Sequence, residues 1–208
     1  GRYPFLDKKE CLVLPNGLDN FWIDHIGEQR EALDTQKIKL VFVGKNDDNK
    51  NLAILLAFLQ KYNDYIYELA VVGENVNNTD FDNFNRNLGN ENKVIYHGLV
   101  NDKNQLLNIY RSSTIFVLLS LKETFGISYL EAMSQGLPII YTKGEGIDGY
   151  FGTGEVGYAC EPENLSMLKE EIDSILENYS LLSARAVREA TKFTWDHIVE
   201  KYKSEISF

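Results

Sequence analysis

Two glutamates, Glu123 and Glu131, flank a Phe125-Gly126 step in the stretch KETFGISYLEAM, Lys122–Met133. An apolar run ends just before it and a helical pattern starts at the glycine. Glu123 therefore falls at a strand-to-helix junction and Glu131 inside the helix. The first N–H groups of a helix lack intrahelical partners and its dipole is positive there, which suits an anion. Glycine at that step lets a phosphate approach the backbone. Glu131 follows roughly 7.5 Å along the axis, at 1.5 Å rise per residue. One carboxylate near a phosphate position and a second further along suit a ligand with hydroxyls on both sides of a diphosphate. A nucleoside diphosphate sugar has that layout. Spacing alone does not carry the reading, because Glu155/Glu163 and Glu163/Glu171 are separated in the same way.

The segment VGKNDDNKN supplies the opposite charge. Lys45 and Lys50 bracket a polar turn, containing Asp47-Asp48, at the end of the apolar run KLVFV. Surface lysines are common in loops. At the carboxyl end of a strand beside a phosphate site, however, two ammonium groups neutralise a diphosphate and stabilise the charge that grows as a sugar departs.

The elements that must position these residues are legible as short apolar runs. Lys39–Val43, Leu69–Val72, Val94–Tyr96, Ile115–Leu119 and Ile139–Tyr141 read as strands, with Val156–Cys160 as a further one. Clean polar alternation is missing, as expected for a parallel sheet covered on both faces. Helical patterns over Asn51–Tyr62, Asp80–Leu88, Lys103–Arg111 and Gly126–Gln135 fall between them. This repetition predicts an α/β fold with a Rossmann-like, doubly wound parallel sheet. After Pro162 the pattern is helical alone, first over ENLSMLKEEIDSILENY and then in a final helix capped by Thr194 and running to Ile206. The expected division is an entry segment at about 1–22, the sheet at 38–162 and C-terminal helices at 163–208, all in a single domain. That last helix is amphipathic and expected to lie against something more.

Bulk properties narrow the function. The chain has 208 residues, is 44% hydrophobic and 25% charged, and carries a formal net charge of -10. That charge argues against nucleic acid as a partner, since such binding needs a basic face. Cys11 and Cys160 are far apart and lack metal-ligand spacing, which fits a reducing compartment. No apolar run approaches the about eighteen residues that span a bilayer. Asn77-Asn78-Thr79 and Asn178-Tyr179-Ser180 match the glycosylation sequon by chance in this context. The opening GRYPFLDKKECLVLPNG reads as mid-chain sequence, which suggests a piece of something longer.

SLKETFGISYLEAMSQGLPII, Ser120 to Pro138 and just beyond, resembles the signature of family 4 (group 1) glycosyltransferases of the GT-B fold. That signature is serine, two residues, Glu, any, Phe-Gly, then Glu-Ala-Met, a small residue, any, Gly, any, Pro. LPNGLDNF is similar to the family's Pro-Asn-Gly-Val-Asp step, VGKNDDNKN to its Gly-Arg loop with a following lysine, HGLVNDKNQLLNIYRSS to its Gly-x-Val segment, and FTWDHIVEKY to its closing helix. The likeness covers nearly the whole chain but only the C-terminal, donor-binding half of the family's architecture.

The resemblance implies a retaining, metal-independent glycosyltransferase of hexosyltransferase type that uses a nucleoside diphosphate sugar as donor and no cofactor. By that likeness Glu123 contacts the donor sugar, with Lys45 and Lys50 on the departing diphosphate. The donor site also includes Gly44, the backbone N–H groups of Phe125, Gly126 and Ile127, and Glu131 on the ribose. Val100 meets the base through its backbone, with Asp102 a weaker candidate. Lys45 stands where the family usually has arginine, so the planar bidentate fork is lost there. The acceptor site is implied to belong to an N-terminal domain absent from this chain, so the domain alone is expected to bind donor and transfer little or nothing. A cytoplasmic location follows by analogy, peripheral at the inner membrane face through the missing domain, in bacterial polysaccharide biosynthesis. Alternatives are a non-catalytic nucleotide-sugar or phosphometabolite module and a related GT-B epimerase.

Other motifs are weaker. Asp80-Phe81-Asp82 matches an Asp-x-Asp metal pattern but sits at a helix start, where aspartate favours the dipole. His97 reads as structural. GEGIDGYFGTG lacks the spacing of a dinucleotide or phosphate loop; at the end of the fifth strand it reads as a mobile surface loop, with a donor-side loop as the alternative.

Overall fold

The computed structural model of the protein describes residues 13–28, 30, 36–74 and 78–206. Cys11, the first part of the entry segment and Asn77 lie outside the described residues.

Six strands form one all-parallel sheet: β1 Lys37–Val43, β2 Ile66–Val72, β3 Lys93–Gly98, β4 Ile115–Leu118, β5 Ile139–Thr142 and β6 Gly157–Cys160. Their order is β3-β2-β1-β4-β5-β6. The chain builds outward from β1 to β3, then crosses to the other side of β1 and builds outward again. This is the doubly wound Rossmann arrangement, and it opens a crevice beyond the carboxyl ends of β1 and β4, where the direction reverses. β4 and β5 are buried at every position. That is why they read as unbroken apolar runs, the pattern of parallel strands covered on both faces. The core is continuous across the sheet, from Leu40 and Phe42 through Phe116 to Ile139.

The helices are α1 Asn20–Asp24, α2 Leu52–Lys61, α3 Asn78–Asn87, α4 Lys103–Ser112, α5 Ile127–Ser134, α6 Leu165–Glu177, α7 Tyr179–Ala190 and α8 Trp195–Ile206. Several sequence boundaries move. β1 and β2 begin earlier than expected, at Lys37 and Ile66. β3 runs on to Gly98, and β4 stops at Leu118, although Leu119 stays buried. α3 starts at Asn78 rather than Asp80. Asn51 is the cap of α2 rather than its first residue, with φ 53°, while its side chain donates to the carbonyls of Leu119 and Pro162. Gly126 and Gln135 likewise cap α5 from outside.

The entry segment is fastened to the C-terminal end of the chain. Leu18 N donates to Phe193 O at 2.6 Å, and Leu18 bridges Thr194. Asp19 then caps α1 by accepting from Phe21 N at 2.9 Å. α8 buries Ile198 but leaves Trp195, Val199 and Tyr202 exposed, an apolar stripe at helical spacing.

Candidate functional site

β1 and β4 are paired neighbours, so the loops that follow them leave the sheet side by side. Lys50 comes from the first loop and Glu123 from the second. Their Nζ and Oε2 lie 2.6 Å apart, with side chains 23% and 9% exposed. An ion pair this far removed from water interacts more strongly than an exposed one. Ser120 Oγ donates to the same carboxylate oxygen at 3.3 Å, and Thr124 N donates to Oε1 at 3.1 Å.

Asn49 holds the two loops together. Its side chain donates to Lys122 O and accepts from Lys122 N, both at 2.9 Å, and its own carbonyl accepts from Leu121 N at 2.7 Å. The Lys45–Lys50 segment is indeed a polar turn, a 3-10 element over Asp48–Lys50 capped by Asp47, which accepts from Lys50 N. The aliphatic stem of Lys50 passes close to Gly44, whose missing Cβ would sit 3.7 Å from the lysine Cδ.

A third loop reaches the same point. Gly146 N donates to Glu123 O, and Glu123 N donates to Glu145 Oε2, each at 3.0 Å. The second bond holds the Glu145 carboxyl below the usual range. GEGIDGYFGTG is therefore fastened to Glu123 at its start. Gly146 has φ 58°, and a Cβ there would meet Glu123 Cγ at 2.7 Å. Sequence spacing held no sign of this contact, because it depends on which strands are neighbours.

Beyond Glu123 the chain turns into α5. Its cap is Gly126, in the left-handed region at φ 80° and without a side chain to satisfy the first N–H groups. A Cβ at Gly126 would collide with the Tyr129 ring at 2.4 Å. The start of α5 thus presents backbone donors that receive no side-chain cap among the described residues, the arrangement that suits an anion, beside Glu123. Phe125 anchors it: its ring is buried and meets Tyr150 edge-on at 5.4 Å between centroids. Its side chain has a packing role.

Glu131 lies one turn into α5. Tyr110 of α4 donates its hydroxyl to Glu131 Oε2 at 3.1 Å. Burial pushes the Glu131 carboxyl above its ordinary value, opposed by Tyr110 and the Trp22 indole. The Lys103–Asp19 ion pair, at 2.9 Å, exerts weaker and opposite effects on the same carboxyl. Behind this group Arg30 donates to the carbonyls of Tyr110, Ser113 and Gln135. It ties together the carboxyl ends of α4 and α5, where a cation meets both helix dipoles. Sequence reasoning missed Arg30, Tyr110 and Trp22 because their partners come from distant helices.

Contacts thus bring Gly44, Lys50, Glu123, Phe125 and Gly126 together, with Ile127 next in the chain and 38% exposed. Glu131 shares their helix but has its own partners. Lys45 is exposed at the end of β1 and makes no ion pair among the described residues. Val100 follows β3 at the same end of the sheet, two strands from β1, half-buried against the core. Asp102 is occupied in capping α4 through Asn104 N. Asp80 lies in the first turn of α3.

Fold and site define a Rossmann-like α/β domain with an anion-receptive helix start flanked by an ammonium and two carboxylates. Residues 26–193 match the family model described as glycosyl transferases group 1. The chain belongs to that family. It is 25% identical over 209 residues to a probable sucrose-phosphate synthase of Thermosipho melanesiensis, covering 96% of this chain and 48% of that protein. Among solved structures it resembles Anabaena HepE in complex with UDP, with TM-score 0.69 and 20% identity over 83% of this chain and 49% of that one. It also resembles the catalytic domain of a Helicobacter pylori cholesterol-alpha-glucosyltransferase, with TM-score 0.62 and 26% identity over 76% of this chain and 99% of that one. The chain spans about half the length of the curated relatives it matches.

Proposed function

We propose that this chain is the donor-binding domain of a retaining glycosyltransferase that draws its sugar from a nucleoside diphosphate sugar. The observation that carries the reading is the Lys50–Glu123 pair at the mouth of α5. In the proposed complex the diphosphate lies against the N–H groups of Phe125, Gly126 and Ile127. Lys50 turns from Glu123 to the phosphate, with Lys45 beside it and Gly44 allowing close approach. Glu123, released, accepts from hydroxyls of the donor sugar. Glu131 accepts from the ribose, and the backbone of Val100 meets the base.

As the bond between the anomeric carbon and the phosphate oxygen breaks, its electron pair leaves with the nucleoside diphosphate. Both ammonium groups stabilise that charge where it appears, so their effect is larger in the transition state than in the bound donor. This assigns to lysines the charge-balancing role that a metal ion fills in other phosphate chemistry. Support comes also from HepE, which shares the fold and was crystallised with UDP.

The acceptor site is assigned to a further domain of the same enzyme, consistent with the half-length match to relatives. The exposed Trp195, Val199 and Tyr202 face of α8 is a candidate contact for it. Among the described residues no helix is long and apolar enough to cross a membrane. A cytoplasmic setting, peripheral to the membrane through that further domain, and a role in bacterial polysaccharide assembly complete the proposal. Titration with UDP, GDP and ADP and their sugar conjugates tests it. Micromolar to millimolar binding is expected, together with loss of transfer by Glu123→Ala in the full-length enzyme. Transfer by the isolated chain at full-length rates would contradict the two-domain part.

A further inference from the structure

Tyr110 is fully buried in α4, and its hydroxyl donates to Glu131 Oε2 at 3.1 Å. Burial raises the phenol well above its ordinary pKa, so it remains a donor at any working pH. Trp22 of α1 is 1% exposed, and its Nε1 is buried without a hydrogen-bonded acceptor. The two rings meet edge-on, with centroids 5.6 Å apart. One donor from α4 therefore holds a carboxylate carried by α5, and the ring of Trp22 from α1 seats that donor.

The other oxygen is different. Glu131 Oε1 accepts no hydrogen bond among the described residues, and the side chain is only partly covered. A solvated glutamate would lose rotamer freedom on meeting a ligand. With Oε2 already held, Glu131 presents Oε1 in a fixed direction. The frame behind it is rigid too, because Arg30 bonds to carbonyls at the ends of both α4 and α5.

We infer that Tyr110, with Trp22 beside it, is a positioning residue that pins Oε2 of Glu131 so that Oε1 reads the vicinal hydroxyls of a ribose. This rests on the proposed contact between Glu131 and the donor's ribose. It adds the source of discrimination between ribonucleotides and deoxyribonucleotides.

The test titrates the chain with UDP, GDP and ADP and compares whichever binds best with its 2′-deoxy and 3′-deoxy forms. Binding by none of the three at millimolar concentration overturns the underlying reading. The unaltered chain is expected to prefer the ribonucleotide by about tenfold or more over at least one deoxy form, the scale of a hydrogen bond to a charged group. Tyr110→Phe keeps the ring and removes one donor. It should reduce that preference by about threefold or more while the deoxy form binds within about twofold of its original affinity. A merely structural defect would weaken both ligands alike and leave the ratio unmoved. An unchanged ratio in folded Tyr110→Phe overturns the inference. Should that variant lose its fold, the ratio is measured in Trp22→Leu, which removes the ring that seats Tyr110, and an unchanged value there overturns the inference equally. Glu131→Ala separates the two levels: if it keeps the preference, the ribose contact itself is wrong. If it abolishes the preference while the ring variants retain it, only the positioning role fails.

Discussion

The Lys50 ammonium sits 2.6 Å from Glu123 Oε2, although 73 residues separate the two in the chain. Each is the other's counter-ion. In the proposed complex a diphosphate that takes Lys50 frees Glu123, which would couple anion binding to sugar recognition through a single exchange of partners. That exchange keeps the ammonium paired but leaves the 9% exposed Glu123 carboxylate without its cation, so hydroxyls of the donor sugar must take up its bonds.

Lys50→Ala should weaken diphosphate binding by roughly 1.5–3 kcal/mol, the range for hydrogen bonds to charged groups. Isothermal titration of the variant against the unaltered chain measures it. A loss below about 0.3 kcal/mol would remove Lys50 from the site.

Gly126→Ala should destabilise the domain. The left-handed backbone costs an L-residue roughly 1–2 kcal/mol, and the new Cβ would also strike the Tyr129 ring. Thermal melts should show a drop of several degrees, with nucleotide affinity reduced beyond it because the start of α5 shifts. A melting temperature and affinity equal to the parent would contradict the described cap.

Asn49→Ala removes two side-chain hydrogen bonds between the loops after β1 and β4. At about 0.5–1.5 kcal/mol each, the stability loss is modest. Diphosphate affinity should fall further than stability, because Lys50 and Glu123 lose their common frame. Comparing melting temperature with titration in one variant checks that ordering.

Glu131→Gln carries a pH signature. Burial holds the Glu131 carboxyl above its ordinary 4.5. The native state therefore keeps a proton that the unfolded chain has released, and stability declines as pH rises from about 4.5 through the raised native value. The glutamine variant lacks this decline. Its melting temperature relative to the parent should rise across that window and level off above it. A difference independent of pH would show that Glu131 is not held in its buried setting.

Much of the architecture was readable because parallel strands covered on both faces leave unbroken apolar runs, as at Ile115–Leu118 and Ile139–Thr142. The helix after Gly126 was readable from the glycine and the apolar spacing behind it. Strand order was not, since nothing local says that β1 lies between β2 and β4. The Lys50–Glu123 pair and the Gly146–Glu123 bond depend on that order. α1, at five residues, is too short for periodicity. α7 buries Ser183, Ala186 and Ala190, small residues that leave only a faint apolar stripe. Glu131 stood out by its place after the Phe-Gly step, whereas the Tyr110 hydroxyl that donates to it and the Trp22 ring beside that tyrosine are placed by helix packing alone.

A crystal structure of this chain with its tightest-binding nucleoside diphosphate tests the central claim most directly. The account predicts the diphosphate on the N–H groups of Gly126 and Ile127, Lys50 moved from Glu123 onto a phosphate oxygen, and Glu131 bonded to the ribose. A diphosphate bound elsewhere, or Lys50 still on Glu123 with the start of α5 bare, would contradict it.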